Sequence, residues 1–214
     1  DWGGLPETAT DLEPTTLEEN DEGDYIRRRI VFRSKPHLEV PTYVLIPKGV
    51  KPPYRAVIAC HGHGYGSKAI VGLNFDGSVR TEPEYQKNFA IELVKRGYLV
   101  AVPELLGFGD RRLKEMTDAK PEENSCYRIA VQLLLMGKTI AGVRVFETLR
   151  TIDYLLSRGD VDEERIGLMG ISGGGLVGSF ATAIDDRIKV AVISGYVNTF
   201  KSSIMSIRHC VDNY

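Results

Sequence analysis

Apolar positions along this chain follow two rhythms, and the switches between them mark out its elements. Residues 25–32, a strand-like alternating segment, and 40–46 both read as strands. The turn-forming run Ser34-Lys35-Pro36-His37 between them predicts an antiparallel pair. Residues 56–60 are continuously apolar, as expected of a strand covered on both faces. Residues 88–96 read as the end of a helix closed by Gly97, and 98–102 as a strand stopped by Pro103. Helices are expected over 125–135 and along Ile140, Val143, Phe146, Leu149, Ile152 and Leu155, whose spacing gives a core-facing stripe. A strand at 165–169, a helix through Leu176, Val177, Phe180, Ala181 and Ile184, and a strand at 190–194 complete the pattern.

Strands alternating with helices predict an α/β fold: a mostly parallel sheet with helices on both faces, plus the antiparallel N-terminal strand pair. Residues 1–24 are acidic, carry Pro6 and Pro14, and read as an irregular lead-in; 25–214 reads as one domain. The chain has 214 residues, 43% hydrophobic and 26% charged, which suits a single globular core. Lys and Arg total 27 against 29 Asp and Glu, so no electrostatic footprint for nucleic acid is present. No apolar run approaches membrane-spanning length, so no membrane partner is expected. Three cysteines at wide spacing suggest no disulfide framework and favour a reducing, cytoplasmic compartment.

The candidate chemistry centres on Gly170-Ile171-Ser172-Gly173-Gly174, a G-x-S-x-G pentapeptide between the strand at 165–169 and the helix that follows. A serine at the apex of a tight strand-to-helix turn needs strained backbone angles, and small neighbours let adjacent chain pass. Such a turn places the hydroxyl beside backbone N–H groups that can hold an oxyanion. Ser172 is therefore the expected nucleophile. The bland alternative is an ordinary connection with a structural serine.

The pentapeptide, the glycine-rich Cys60-His61-Gly62-His63-Gly64, the passage from Val40 to Pro47 and Gly107-Phe108-Gly109-Asp110 together resemble the α/β-hydrolases. More narrowly, they resemble the dienelactone hydrolase and acetyl xylan esterase-like branch. The resemblance implies an α/β-hydrolase fold and a serine esterase that uses no cofactor. It implies an oxyanion site from N–H groups of His63, Gly64 and Gly173, with His61, Gly62, Tyr196 and Asn198 against the substrate. The substrate would be an acetylated sugar, another oligosaccharide ester or a small ester. Alternatives are a peptidase or dienelactone hydrolase on the same fold, or an inactive hydrolase-like binding protein. Asp110 and Arg111 read as a structural pair.

A serine nucleophile needs a base oriented by a carboxylate, in the chain order serine, acid, histidine for this fold. After Ser172 come Asp185, Asp186, one histidine (His209) and then Asp212, which is the reverse order for the last two. The expectation is that the family's last strands, with the acid and the base, lie beyond Tyr214; His209 as the base is the rival. Three other readings fail. Gly173, Gly175 and Gly178 spell a dinucleotide fingerprint in the wrong register. Gly137-Lys138-Thr139 lacks the earlier glycine of a phosphate loop, where Gln132 stands. His61-x-His63 lacks a third ligand, so no metal is expected.

Overall fold

The computed structural model describes residues 10–116 and 118–213. Seven strands form one sheet in the order β1-β2-β3-β5-β4-β6-β7. They are β1 (Thr15–Asp21), β2 (Tyr25–Lys35), β3 (Leu38–Pro47), β4 (Tyr54–Cys60), β5 (Leu99–Pro103), β6 (Val161–Ile171) and β7 (Ile188–Ser194). β1/β2, β2/β3 and β3/β5 pair antiparallel, while β4/β5, β4/β6 and β6/β7 pair parallel. The described sheet is thus evenly mixed rather than mostly parallel. Besides the expected β2/β3 pair, β3/β5 and β1/β2 are antiparallel, and β1 forms within the lead-in expected to be irregular. Its residues are all exposed, so no buried apolar face announced it. Residues 1–9 of that lead-in lie outside the described residues.

Two apolar layers flank the sheet. On one face α1 (Phe89–Lys95) packs Phe89, Ala90 and Val94 against Tyr43, Leu45, Ala59 and Val100. On the other, α3 (Ile140–Ser157) and α4 (Gly173–Ile184) bury Val145, Ile152, Leu176 and Val177 against Ile30, Val44, Ile58 and Leu168. Thr139 caps α3, its side chain accepting the Gly142 N–H at 3.0 Å. α2 (Cys126–Leu135) lies outside, joined to α3 by a short turn. No single helix among the described residues is long and apolar enough to cross a membrane.

α3 departs from the expected stripe. A strict three-residue repeat drifts around a helix of 3.6 residues per turn. Here Val143 and Leu149 are only half-buried, whereas Arg144, Glu147, Thr148 and Thr151 are buried. The threonine hydroxyls donate to carbonyls one turn back in the same helix, while Arg144 and Glu147 reach partners on other elements. Arg111 donates to both Glu147 carboxylate oxygens, at 2.6 and 2.7 Å. Asp110 instead pairs with Arg29 and Lys68. Asp110 and Arg111 are both structural, as expected, but not with each other.

Candidate active site

The site follows from strand register. Cys60 of β4 lies opposite Gly170 of β6, and Ile171 opposite Ser194 of β7. The three strands therefore end level, and the chain leaving each emerges at the same carboxyl edge, where ligands bind in open α/β sheets. At that edge the chain turns from β6 into α4 through Ser172 alone, with φ 54° and ψ −119°. Side chains rarely occupy this region, and holding one there costs about 1–3 kcal/mol. Its N–H donates to Ser194 O at 2.8 Å, and its carbonyl accepts from Leu176 N at 3.0 Å.

The flanking glycines are a packing requirement. A Cβ on Gly170 would lie 2.2 Å from Gly174 O, and one on Gly174 would lie 2.1 Å from Cys60 O. Both obstacles are backbone. The turn can sit this close to the end of β4 only because neither position has a side chain.

A cleft of about 620 Å³ opens over this edge, lined by Ser172, His63, Gly173, Tyr196 and Asn198, with His209 on its rim. Four of the expected residues are thus brought beside Ser172. Among the described residues the N–H groups of His63, Gly64 and Gly173 donate to no other group. Gly173 opens α4, where unpaired amides and the helix dipole both favour negative charge. Gly64 does not line the cleft.

His61 and Gly62 stand differently from expectation. His61 is completely buried, its Nδ1 donating to Gly62 O at 2.8 Å and its Nε2 accepting Leu105 N–H at 3.2 Å. Gly62 is buried with its N–H given to Gln86 Oε1 at 2.8 Å, and a Cβ there would lie 3.3 Å from that of Ser172. Neither lines the cleft; they support the loop. His209 lines the cleft, yet its Nε2 is 2.9 Å from Ser203 Oγ. Among the described residues no histidine is hydrogen-bonded to Ser172.

The His63 ring is held on three sides. Phe108 meets it edge-on with centroids 5.1 Å apart, Nδ1 faces the side of Gly173 where a Cβ would be, and Nε2 is 3.3 Å from Asp212 Oδ2. Asp212 is buried and also bound by Arg144 Nη1 at 2.8 Å. Burial alone would raise its carboxyl; the His63 hydrogen bond and the Arg144 charge outweigh that and hold it below the usual carboxylate range. Arg144 gives its other N–H groups to Leu106 O at 3.0 and 2.6 Å.

Among the described residues, His63, Cys210 and Asp212 bring metal-type donor atoms within 4.8 Å of one another. The Arg144 guanidinium on the same carboxylate opposes a cation there, so the cluster is accounted for as an ion-pair network.

Asp212 and Arg144 were missed as neighbours of the site by reading the sequence, whereas Phe108 lies in the motif from Gly107 to Asp110 that the sequence singled out. A signal existed for Arg144: with Ile140, Thr148 and Ile152 it forms a four-residue repeat, one buried line along α3.

A family model described as an abhydrolase family matches residues 4–199, so the chain belongs to the α/β-hydrolases. YtaP of Bacillus subtilis (strain 168), named as a hydrolase, is 34% identical over 196 residues, which are 89% of this chain and 59% of that protein. Among solved structures, a Bacteroides fragilis NCTC 9343 protein named as an acetyl xylan esterase superposes with TM-score 0.76 at 17% identity, over 85% of this chain and 47% of the other. A glucuronoyl esterase from Solibacter usitatus gives 0.59 at 16% identity, over 90% and 54%. The chain therefore spans about half to three-fifths of the length of these proteins.

Proposed function

We propose that this chain carries the nucleophile and the oxyanion-binding amides of a serine hydrolase acting on carboxylic esters. In this reading a general base takes the proton of the Ser172 hydroxyl as Oγ attacks the acyl carbon, and returns it to the departing alcohol oxygen. The carbonyl oxygen takes the negative charge and is received by the N–H groups of His63 and Gly173, with Gly64 next to them. The alcohol leaves, and water then releases the acid from the Ser172 ester. Removing one such donor typically costs about a hundred- to a thousandfold in turnover. Tyr196 and Asn198 line the substrate side, and no cofactor takes part.

The observation that carries this reading is the backbone of Ser172, held at φ 54° and ψ −119° on the first turn of α4 in an open cleft. A structural serine would not need a conformation that costs energy. The hydrolase relative and the esterases of the same fold favour acyl transfer, and an acetylated sugar or a small ester is the proposed substrate. Nucleic acid and membrane have no part in it.

A fluorophosphonate probe tests the proposal. Labelling should map to Ser172 and vanish in Ser172→Ala. Folded full-length protein that stays unlabelled would overturn the enzyme reading in favour of a hydrolase-like binding protein. Rates on acetyl, feruloyl, dienelactone and peptide substrates then separate an esterase from a lactone hydrolase or peptidase on this fold.

A further inference from the structure

Glu104, directly after β5, is, among the described residues, the one buried carboxylate at this sheet edge whose partners all lie in the loops above it. It is 1% exposed. Oε1 accepts the Ser67 N–H at 2.9 Å and lies 3.1 Å from His61 Nε2; Oε2 accepts the Ser67 hydroxyl at 2.7 Å. Two glycines enclose it. A Cβ on Gly66 would come within 2.2 Å of Oε1, and one on Gly109 within 2.5 Å of Oε2. Among the described residues no lysine or arginine pairs with it. Burying a carboxylate this way costs several kcal/mol, and such breaches of the rules for a stable core concentrate at functional sites.

Two loops meet at it. Gly66 and its hydrogen-bond donor Ser67 belong to the loop after β4, which carries His63 to the cleft; His61 Nε2 already accepts the Leu105 N–H and packs beside the carboxylate without donating to it. Gly109 belongs to the loop after β5, which carries Phe108 against both His61 and His63 at 5.3 and 5.1 Å. Glu104 is itself fixed, with its N–H on Pro41 O of β3 at 2.9 Å. The geometry points to Glu104 as a positioning residue of the Ser172 site: its carboxylate locks the two loops together and sets where the His63 amide stands. This rests on the esterase reading above. Length and acceptor placement matter here, not only charge. Glutamine spans the same distance, with one oxygen for the Ser67 amide and an N–H for the Ser67 hydroxyl. Aspartate is one methylene short.

The test compares Glu104→Asp, Glu104→Gln and the milder Ser67→Ala with Val94→Ala, a core change on α1 of comparable destabilisation. Glu104→Asp should lose about tenfold or more in kcat, because sub-ångström misplacement of a transition-state contact is costly. KM should stay within about twofold, since the amide acts on the transition state rather than on the bound ester. Glu104→Gln should recover most of the rate, and Ser67→Ala should fall between. An unchanged kcat in both Glu104→Asp and Ser67→Ala, or an equal loss in Val94→Ala, overturns the assignment. Should the unaltered protein neither label nor turn over esters, the esterase reading fails on its own account. The clamp is then read by hydrogen exchange at residues 62–67 and 107–111. Glu104→Asp should speed that exchange about tenfold over Val94→Ala, and unchanged exchange overturns the clamp.

Discussion

Replacing Glu147 with methionine should be among the most destabilising single changes in this domain, and adding Arg111→Met should restore most of the loss. The two side chains are 2% and 5% exposed and joined by two hydrogen bonds of 2.6 and 2.7 Å. Removing one member of such a pair strands the other charge out of water, which costs about 3–5 kcal/mol. For a domain of this size that is a fall in Tm of about 6–20 °C. Removing both charges takes away the stranded ion, and apolar replacements of buried pairs are often neutral or better. Recovery should stop short of complete, because Arg111 also donates to Glu104 O at 3.1 Å, and that carbonyl would lose its donor. An unsatisfied group of that kind costs about 1–3 kcal/mol. Ser34 Oγ would lose Glu147 but keep Leu38 O at 3.2 Å. Urea unfolding of the wild type, both single variants and the double variant gives the coupling energy directly. If Glu147→Met costs under about 1 kcal/mol, or the double loss equals the sum of the singles, the two charges do not form one compensated unit.

Two further outcomes follow from backbone strain and from charge. Ser172→Gly should be more stable than Ser172→Ala by about 1 kcal/mol, because only glycine occupies that φ/ψ region freely; equal midpoints in urea would mean that the turn is unstrained. Asp212 is held ionised in the folded state, so its stabilisation is complete above its unfolded pKa and disappears as pH falls through the lower folded value. The wild type should therefore lose stability progressively below about pH 4, and Asp212→Asn should flatten that acid limb. Parallel limbs in the two proteins would show that Asp212 contributes no proton linkage.

How much of this was legible in the sequence depends on the range of the contacts. The strands and helices from residue 25 to 194 follow local periodicity and punctuation, and they formed close to where the pattern put them. Gly97 illustrates the point, since its φ of 86° ends α1 as its position after the helix predicted. β1 escaped because a fully exposed strand on the sheet edge leaves no alternation of buried and exposed positions. The turn at Ser172 and Gly173 was legible because a sharp turn dictates the small residues around it, and that demand is written into five consecutive positions; His63 came instead from the resemblance carried by the glycine-rich loop. His61 was misread for a related reason. A histidine in a glycine-rich loop looks accessible, and only the position of β5 shows Leu105 and Glu104 closing over it.

The remaining residues share one property: each makes its decisive contact across the tertiary structure, through a polar atom. Glu104 looks like a solvated acid after a strand, and Arg144 like a charged position on an exposed helix face. Asp212 looks like part of a polar tail. Burial changes all three, because a charge removed from water must be met by specific donors or acceptors at fixed distances. Asp212 shows how far that constraint reaches. Its carboxylate binds Arg144 of α3 and the His63 ring, tying α3 to the loop that faces Ser172. Arg144 in turn holds Leu106 O, in the loop that carries Phe108. An apolar contact at these places would tolerate sliding by a fraction of an ångström, whereas two or three charge-assisted hydrogen bonds on one carboxylate define its position. The sheet register brings the loops to one edge; the buried charges decide where within that edge each amide and ring stands.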